Sequence, residues 1–193
     1  MTKSKLFFGL ALSMASLVAI SNYLVQFPVK YFGMESLLTY AAFTYPVTFL
    51  ITDLANRKYG KFLARRIVYL GFITGVLLTL YFSTNFKDLI SIRIAIGSGT
   101  AFLFAQLLDV SIFDILRRKK WFIAPLTSSF FGSLVDTFLF FSISFYNTGV
   151  PWISLAAGDF IVKMLMSFLM LIPFRLFLRK TILEEAELSS KIY

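Results

Sequence analysis

The sequence predicts an all-α membrane protein of six transmembrane helices in a single domain, and three observations predict it. The chain is 58% apolar over 193 residues with a mean hydropathy of +0.79, above the roughly 45–50% apolar content of soluble domains. Its apolar residues fall into six runs, each near the roughly 20 residues that a spanning helix needs. Its basic residues gather in alternate connections, the pattern of positive-inside topology.

The first span covers about residues 6–26, after Lys3 and Lys5. A signal peptide has a shorter apolar core, typically about 7–15 residues, and a small-x-small cleavage site. This run is longer and lacks a clear site, so a retained helix is expected. The second span covers about 37–54 and contains Tyr45-Pro46. Pro46 removes a backbone hydrogen bond there, either as a tolerated kink or as one that turns carbonyls into a cavity. The third runs over 67–83, the fourth 93–116, the fifth 121–145 and the sixth 150–178. A polar tail, 179–193, carries Glu184, Glu185, Glu187 and Lys191. Such short connections leave no room for a soluble enzyme module.

Charge fixes the orientation. One set of connections holds Arg57, Lys58, Lys61, Arg65 and Arg66, then Arg117, Arg118, Lys119 and Lys120. The chain ends add Lys3, Lys5, Arg175, Arg179, Lys180 and Lys191, whereas the other connections carry Lys30, Lys87 and Arg93. With six spans every basic cluster falls on one face, which places both termini in the cytoplasm of a bacterial inner-membrane protein. The net charge of +9 is therefore a topology signal, and no nucleic-acid partner is expected. The chain has no cysteine and no histidine. Disulfides, thiolates, Ser-His triads and imidazole metal ligands are thereby excluded within it. No metal, cofactor or enzymatic activity is expected. Gly97-Ser-Gly-Thr100 lacks a base for its serine, and an Asp109–Asp136 dyad would join groups at different depths.

Ionisable groups inside a bilayer cost at least about 2.5–3.5 kcal/mol each, so each needs a reason. Asp109, Asp136, Asp159 and Lys163 qualify. Asp159 and Lys163, spaced i,i+4, share one helix face; they neutralise each other, hold a substrate, or both. At about 1.5 Å per residue, Asp136 rises about 22 Å from the cytoplasmic end of its helix, and Asp159 lies about 13 Å below the outer end of the last. Lys163 then sits near the midplane, Asn22 and Gln26 in the outer half, and Glu35 near the outer mouth. Asp109 falls in the inner half, with Gln106 one turn above.

Polar or small stripes recur at helical spacing: Ala11, Ala15, Ala19, Asn22 and Gln26; Gly99, Phe102, Gln106 and Asp109; Ser129, Ser133 and Asp136. The alanines and serines fit helix packing. The larger polar groups fit a cavity for a small solute near the outer half. Phe43, Tyr45 and Trp152 are placed to stack on a planar ligand, although most of the 24 phenylalanines must fill the bundle or face lipid.

Three blocks carry a specific resemblance. They are Phe43-Thr-Tyr-Pro-Val-Thr-Phe-Leu-Ile-Thr-Asp53-Leu-Ala-Asn56-Arg-Lys-Tyr59-Gly60; Trp121 to Pro125 with Gly132-Ser-Leu-Val-Asp136-Thr; and Pro151-Trp152 with Gly158-Asp159-Phe-Ile-Val-Lys163. In this order they resemble the queuosine precursor transporters, also called the vitamin uptake transporter or DUF165 family. Arg57 departs from the pattern, in which an acidic residue follows the asparagine. The resemblance implies import of 7-deazaguanine precursors of queuosine, the 7-cyano and 7-aminomethyl compounds, for tRNA modification. It also implies a fold similar to the substrate-binding subunits of energy-coupling-factor transporters.

A carboxylate accepts the paired N–H groups of a guanine edge, and its carbonyl needs a donor such as Lys163, Asn22 or Gln106. Asp136 or Asp159 is expected to read that edge, with Glu35 or Gln26 near the entry. Asp53, Asn56 and Asp109 are candidates for gating or coupling, Asp53 either pairing with Arg65 or Arg66 as an inner gate or joining a helix-end charge network. The alternative is a binding subunit for a vitamin or nucleobase that requires an ATP-driven partner, the alanine stripe serving either to dock that partner or to pack inside the bundle. Membrane lipid is a certain neighbour; a homo-oligomer or membrane partner is left open.

Overall fold

The computed structural model describes residues 3–24, 27–31, 38–82 and 89–190. Among them the chain is all-helical: α1 (Lys3–Leu24), α2 (Ala41–Thr44), α3 (Pro46–Tyr59), α4 (Lys61–Phe82), α5 (Leu89–Leu116), α6 (Ile123–Phe145) and α7 (Trp152–Ser190). Elements α2 and α3 together stand where the second span was expected. The break falls at Tyr45 because Pro46 has no N–H to continue the ladder, and it opens α3 instead, where a missing donor costs least. Helix α7 continues through the segment expected as a polar tail, to Ser190.

Among the described residues three helices are long and apolar enough to cross a membrane: Ile92–Leu116, Ile123–Phe145 and Trp152–Lys180, with a shorter apolar stretch at Phe7–Ser21. Proline truncates α3, which also carries Asp53, Arg57 and Lys58, and α4 opens on Lys61, Arg65 and Arg66. Large apolar side chains cover the exterior, Leu12 at 70% and Ile115 at 76% exposed. Surface of this kind on helices of this length makes the chain a membrane protein.

Close helix approach organises the bundle. Met14 and Val18 of α1 fill the notch made by Gly71 and Gly75 of α4, where an added Cβ would lie 2.5 Å from either side chain. This is small-xxx-small packing. The buried face of α1 is Leu10, Ala11, Met14, Val18 and Ser21; Ala15 and Ala19 lie half-buried at its edge. Helices α5 and α6 run antiparallel. Gly97 meets Ser144 near one end, and Gly132 meets Phe49 and the Ala105 carbonyl further along. The Arg93 guanidinium donates to the carbonyls of Ile143 (2.9 Å) and Tyr146 (2.8 Å), closing the end of α6.

Helices α3 and α5 lie parallel, Thr52 against Gln106 and Asn56 against Val110. At the basic end, Arg57 donates to the Arg117 carbonyl at 2.6 Å and Arg117 to the Arg57 carbonyl at 3.2 Å, tying two connections together. Gly60 turns α3 into α4 at φ 84, a backbone conformation open chiefly to glycine. At the opposite end, Val29 and Leu38 pair through a 3.0 Å backbone bond and bury Ala42 between them.

Candidate functional site

The centre of the site is an ammonium held by two carboxylates from neighbouring helices. Lys163 Nζ on α7 lies 2.7 Å from Asp136 Oδ2 on α6 and forms an ion pair with Asp159, one turn back in its own helix. It also donates to Thr137 Oγ1 at 3.2 Å, while the Thr137 hydroxyl donates to Asp159 Oδ2 at 2.8 Å. All four residues are buried. Burying a charge costs several kcal/mol unless its partners compensate, so the closed network is what allows three charges here. The i,i+4 pair expected from spacing is present, and Asp136 enlarges it.

These three charges form part of the wall of a cavity of about 110 Å³, together with Tyr45, Ser21, Thr39, Ser98 and the phenylalanines Phe140, Phe141 and Phe145. The Tyr45 ring stands 5.3 Å from Lys163 Nζ, close enough for a cation–π contact, and its phenol lies beside Asp136. Asp136 Oδ1 is buried with no hydrogen-bond partner among the described residues. It is a spare acceptor on the wall. Ser21 and Thr44 hydroxyls meet at 2.9 Å beside the break before Pro46. A second, apolar cavity of about 380 Å³ shares Tyr45 and Ser98 with the first, so these two residues partition a larger space. A cavity of 110 Å³ is below the roughly 300–1,000 Å³ usual for ligand pockets; a bicyclic ligand needs part of the adjoining volume.

Of the residues named from sequence, Tyr45, Asp136, Asp159 and Lys163 converge here. Phe43 is 40% exposed and Trp152 is half-buried at the start of α7; neither lines the cavity. Gln106 lies below it, fully buried. Its Nε2 donates to Thr48 Oγ1 at 2.8 Å and its Oε1 accepts from Thr52 at 2.6 Å. Gln26, Glu35 and the side chain of Asn22 lie outside the described residues.

The inner carboxylates meet each other instead of arginines. Asp53 and Asp109 are in side-chain contact, and Ser128 donates to Asp53 Oδ1 at 3.4 Å. The inner gate expected between Asp53 and Arg65 or Arg66 is not formed. Arg65 reaches Ser111 at 3.4 Å and Arg66 stacks on Phe62 at 4.4 Å, because α3 turns Asp53 inward towards α5 and α6. Asp109 accordingly makes no dyad with Asp136. Asn56 donates to the Val110 carbonyl at 2.8 Å. Residue-by-residue reading missed Ser21, Thr137, Thr48 and Thr52. The three-and-four spacing of Met14, Val18 and Ser21 is the signal that could have found the first.

The family model described as "Putative vitamin uptake transporter" matches residues 39–178. The chain is 35% identical over 188 residues to the queuosine precursor transporter of Escherichia coli (strain K12), covering 88% of this chain and 84% of that protein. It is 34% identical over 188 residues to the probable queuosine precursor transporter of Haemophilus influenzae, covering 81% and 79%. The corresponding Bacillus subtilis protein is 30% identical over 175 residues, covering 78% and 75%. No solved structure matches the chain.

Proposed function

The chain belongs to the vitamin uptake transporter family, and on that premise we propose that it imports 7-deazaguanine precursors of queuosine, 7-cyano-7-deazaguanine, its 7-aminomethyl relative or both, across the bacterial inner membrane for tRNA modification. Its topology is six spans with both termini cytoplasmic, similar to the substrate-binding subunits of energy-coupling-factor transporters. The basic end supports this orientation. It gathers Arg57, Arg117 and their neighbours, with the cavity nearer the other end of the helices.

The observation that carries the proposal is the Asp136–Lys163–Asp159 network on the wall of an aromatic-lined cavity. The paired N–H donors of the guanine edge fit Asp136, whose Oδ1 has no partner among the described residues, in the bidentate geometry that carboxylates favour. Lys163 then turns part of its donor capacity to the base carbonyl. Tyr45 and the phenylalanines supply stacking faces, worth about 1–3 kcal/mol per base in nucleic-acid proteins. Solitary transport is favoured over a docked ATP-driven partner because the alanine stripe is in part taken up by the bundle itself, Ala11 buried and Ala15 and Ala19 half-buried.

The test is uptake of radiolabelled compound in a strain without its own deazapurine synthesis, with guanine, the nitrile and the aminomethyl compound as competitors. Wild type restores uptake, both deazapurines compete, and Asp136→Asn and Asp159→Asn fall to background. Full uptake by both variants at wild-type membrane levels would overturn the site.

A further inference from the structure

We propose that Asp53, Asp109 and Ser128 form a second binding site, below the substrate cavity, for one monovalent cation, a proton or a sodium ion, whose gradient drives uptake. The inference rests on the chain being a transporter and adds what energises it.

Asp53 on α3 and Asp109 on α5 are 2% and 0% exposed, and their carboxyls touch. Two carboxylates in contact away from water need a positive charge between them. Among the described residues no basic side chain pairs with either of them. Among the described residues neither oxygen of Asp109 has a hydrogen-bond partner, and Asp53 accepts a long 3.4 Å bond from Ser128. The basic groups of the adjoining turns reach other atoms: Arg65 bonds Ser111, its Nε left without a partner among the described residues, Arg57 bonds the Arg117 carbonyl, and Arg117 bonds Asp114 and the Arg57 carbonyl.

An independent observation also points to a ligand. Asn56, one turn beyond Asp53 in the same α3–α5 seam, is fully buried and held by its Nδ2 at 2.8 Å from the carbonyl of Val110, next to Asp109. Its Oδ1 has no donor among the described residues. Carboxylate, amide and hydroxyl oxygens are the donors that suit a proton or a small hard cation.

The site is built to communicate with the cavity above. Asp53 lies eight residues from Tyr45, Asp109 eight from Ala101 and Ser128 eight from Asp136, and the second of each pair lines the cavity. Three helices thus set the two sites about 12 Å apart. Hydrogen bonds bridge that interval: Thr48 donates to the Tyr45 carbonyl at 2.6 Å, Gln106 to Thr48 at 2.8 Å, and Thr52, beside Asp53, to Gln106 at 2.6 Å. Movement of Tyr45 around a substrate therefore reaches Thr52, the residue before Asp53 on α3, through a chain of hydrogen bonds.

The experiment uses the purified full chain in liposomes, with radiolabelled 7-aminomethyl-7-deazaguanine. Its arms are a pH gradient without sodium, an inward sodium gradient at equal pH, and no gradient. Exchange into preloaded liposomes gives a readout independent of any gradient. For one-to-one coupling, a tenfold ion gradient accumulates substrate about tenfold. Wild type accumulates to that extent in one of the first two arms, which identifies the ion, and not in the third. Asp109→Asn and Asp53→Asn keep exchange and lose accumulation, while Ser111→Ala keeps both. Equal wild-type uptake in all three arms overturns the coupling site without any variant. So does either asparagine variant that still accumulates. Absence of wild-type exchange overturns the transport function itself, and this inference with it.

Discussion

Replacing Lys163 with methionine should damage the protein more than replacing the whole charged network. The ammonium bridges Asp136, 2.7 Å away, and Asp159, and methionine keeps its length without its charge. Both carboxylates then stay buried and face each other with no cation. Breaking a buried ion pair by removing one partner costs about 3–5 kcal/mol. For a chain of this size each kcal/mol moves Tm by about 2–4 °C, so Lys163→Met should lower it by about 6–20 °C. Removing the network as a unit, with Asp136→Asn, Asp159→Asn and Lys163→Met together, leaves no orphaned charge. The triple variant should recover to within about 1–2 kcal/mol of wild type. It should still transport nothing, because the carboxylate that reads the substrate is gone. Thermal unfolding in detergent, followed by Trp121 and Trp152 fluorescence, measures the first quantity, and whole-cell uptake the second. A Lys163→Met protein as stable as wild type would show that the network holds no ionised pair. A triple variant that transports would remove the site from recognition.

Smaller perturbations separate packing from function. Gly132→Ala places a Cβ 2.7 Å from Phe49 and should cost about 1–3 kcal/mol by overpacking, seen as a lower Tm. Gln106→Leu leaves Thr48 and Thr52 able to bond their own helix carbonyls, so the stability loss should stay near 1 kcal/mol; a loss several times larger would mean those hydroxyls cannot re-pair. Pro46→Ala restores a backbone donor at the break. It should draw α2 into line with α3 and displace Tyr45, lowering uptake several-fold while Tm shifts by no more than about 4 °C. Arg93→Ala loses two bonds to carbonyls at the end of α6, about 1.5 kcal/mol at a partly exposed site, readable as faster amide exchange around Tyr146.

The membrane class, the order of the long helices and the clustering of charge at one end were legible in the sequence. They depend on composition and on run length, which are local properties. The i,i+4 pair of Asp159 and Lys163 was legible for the same reason, since helix geometry alone places both on one face. The inward faces of α5 and α6 followed from spacing as well: Phe102, Gln106 and Asp109 are buried, and so are Ser129, Ser133 and Asp136. On α1 the same reasoning chose the wrong edge. Met14 and Val18 needed the Gly71–Gly75 notch of α4, so they took the buried face and left Ala15 and Ala19 at its border.

By itself, then, the sequence determined that this is a helical membrane protein and which few polar residues inside its apolar runs needed an explanation. Tertiary structure alone decided their partners. It joined Lys163 to Asp136 across two helices, put Gln106 between Thr48 and Thr52, and set Asp53 against Asp109 and not against Arg65. The reason is physical. Helical periodicity fixes the face on which a side chain stands, but the register between two helices is set by how their small and large residues interlock. Each carboxylate meets its partner only after that register is chosen.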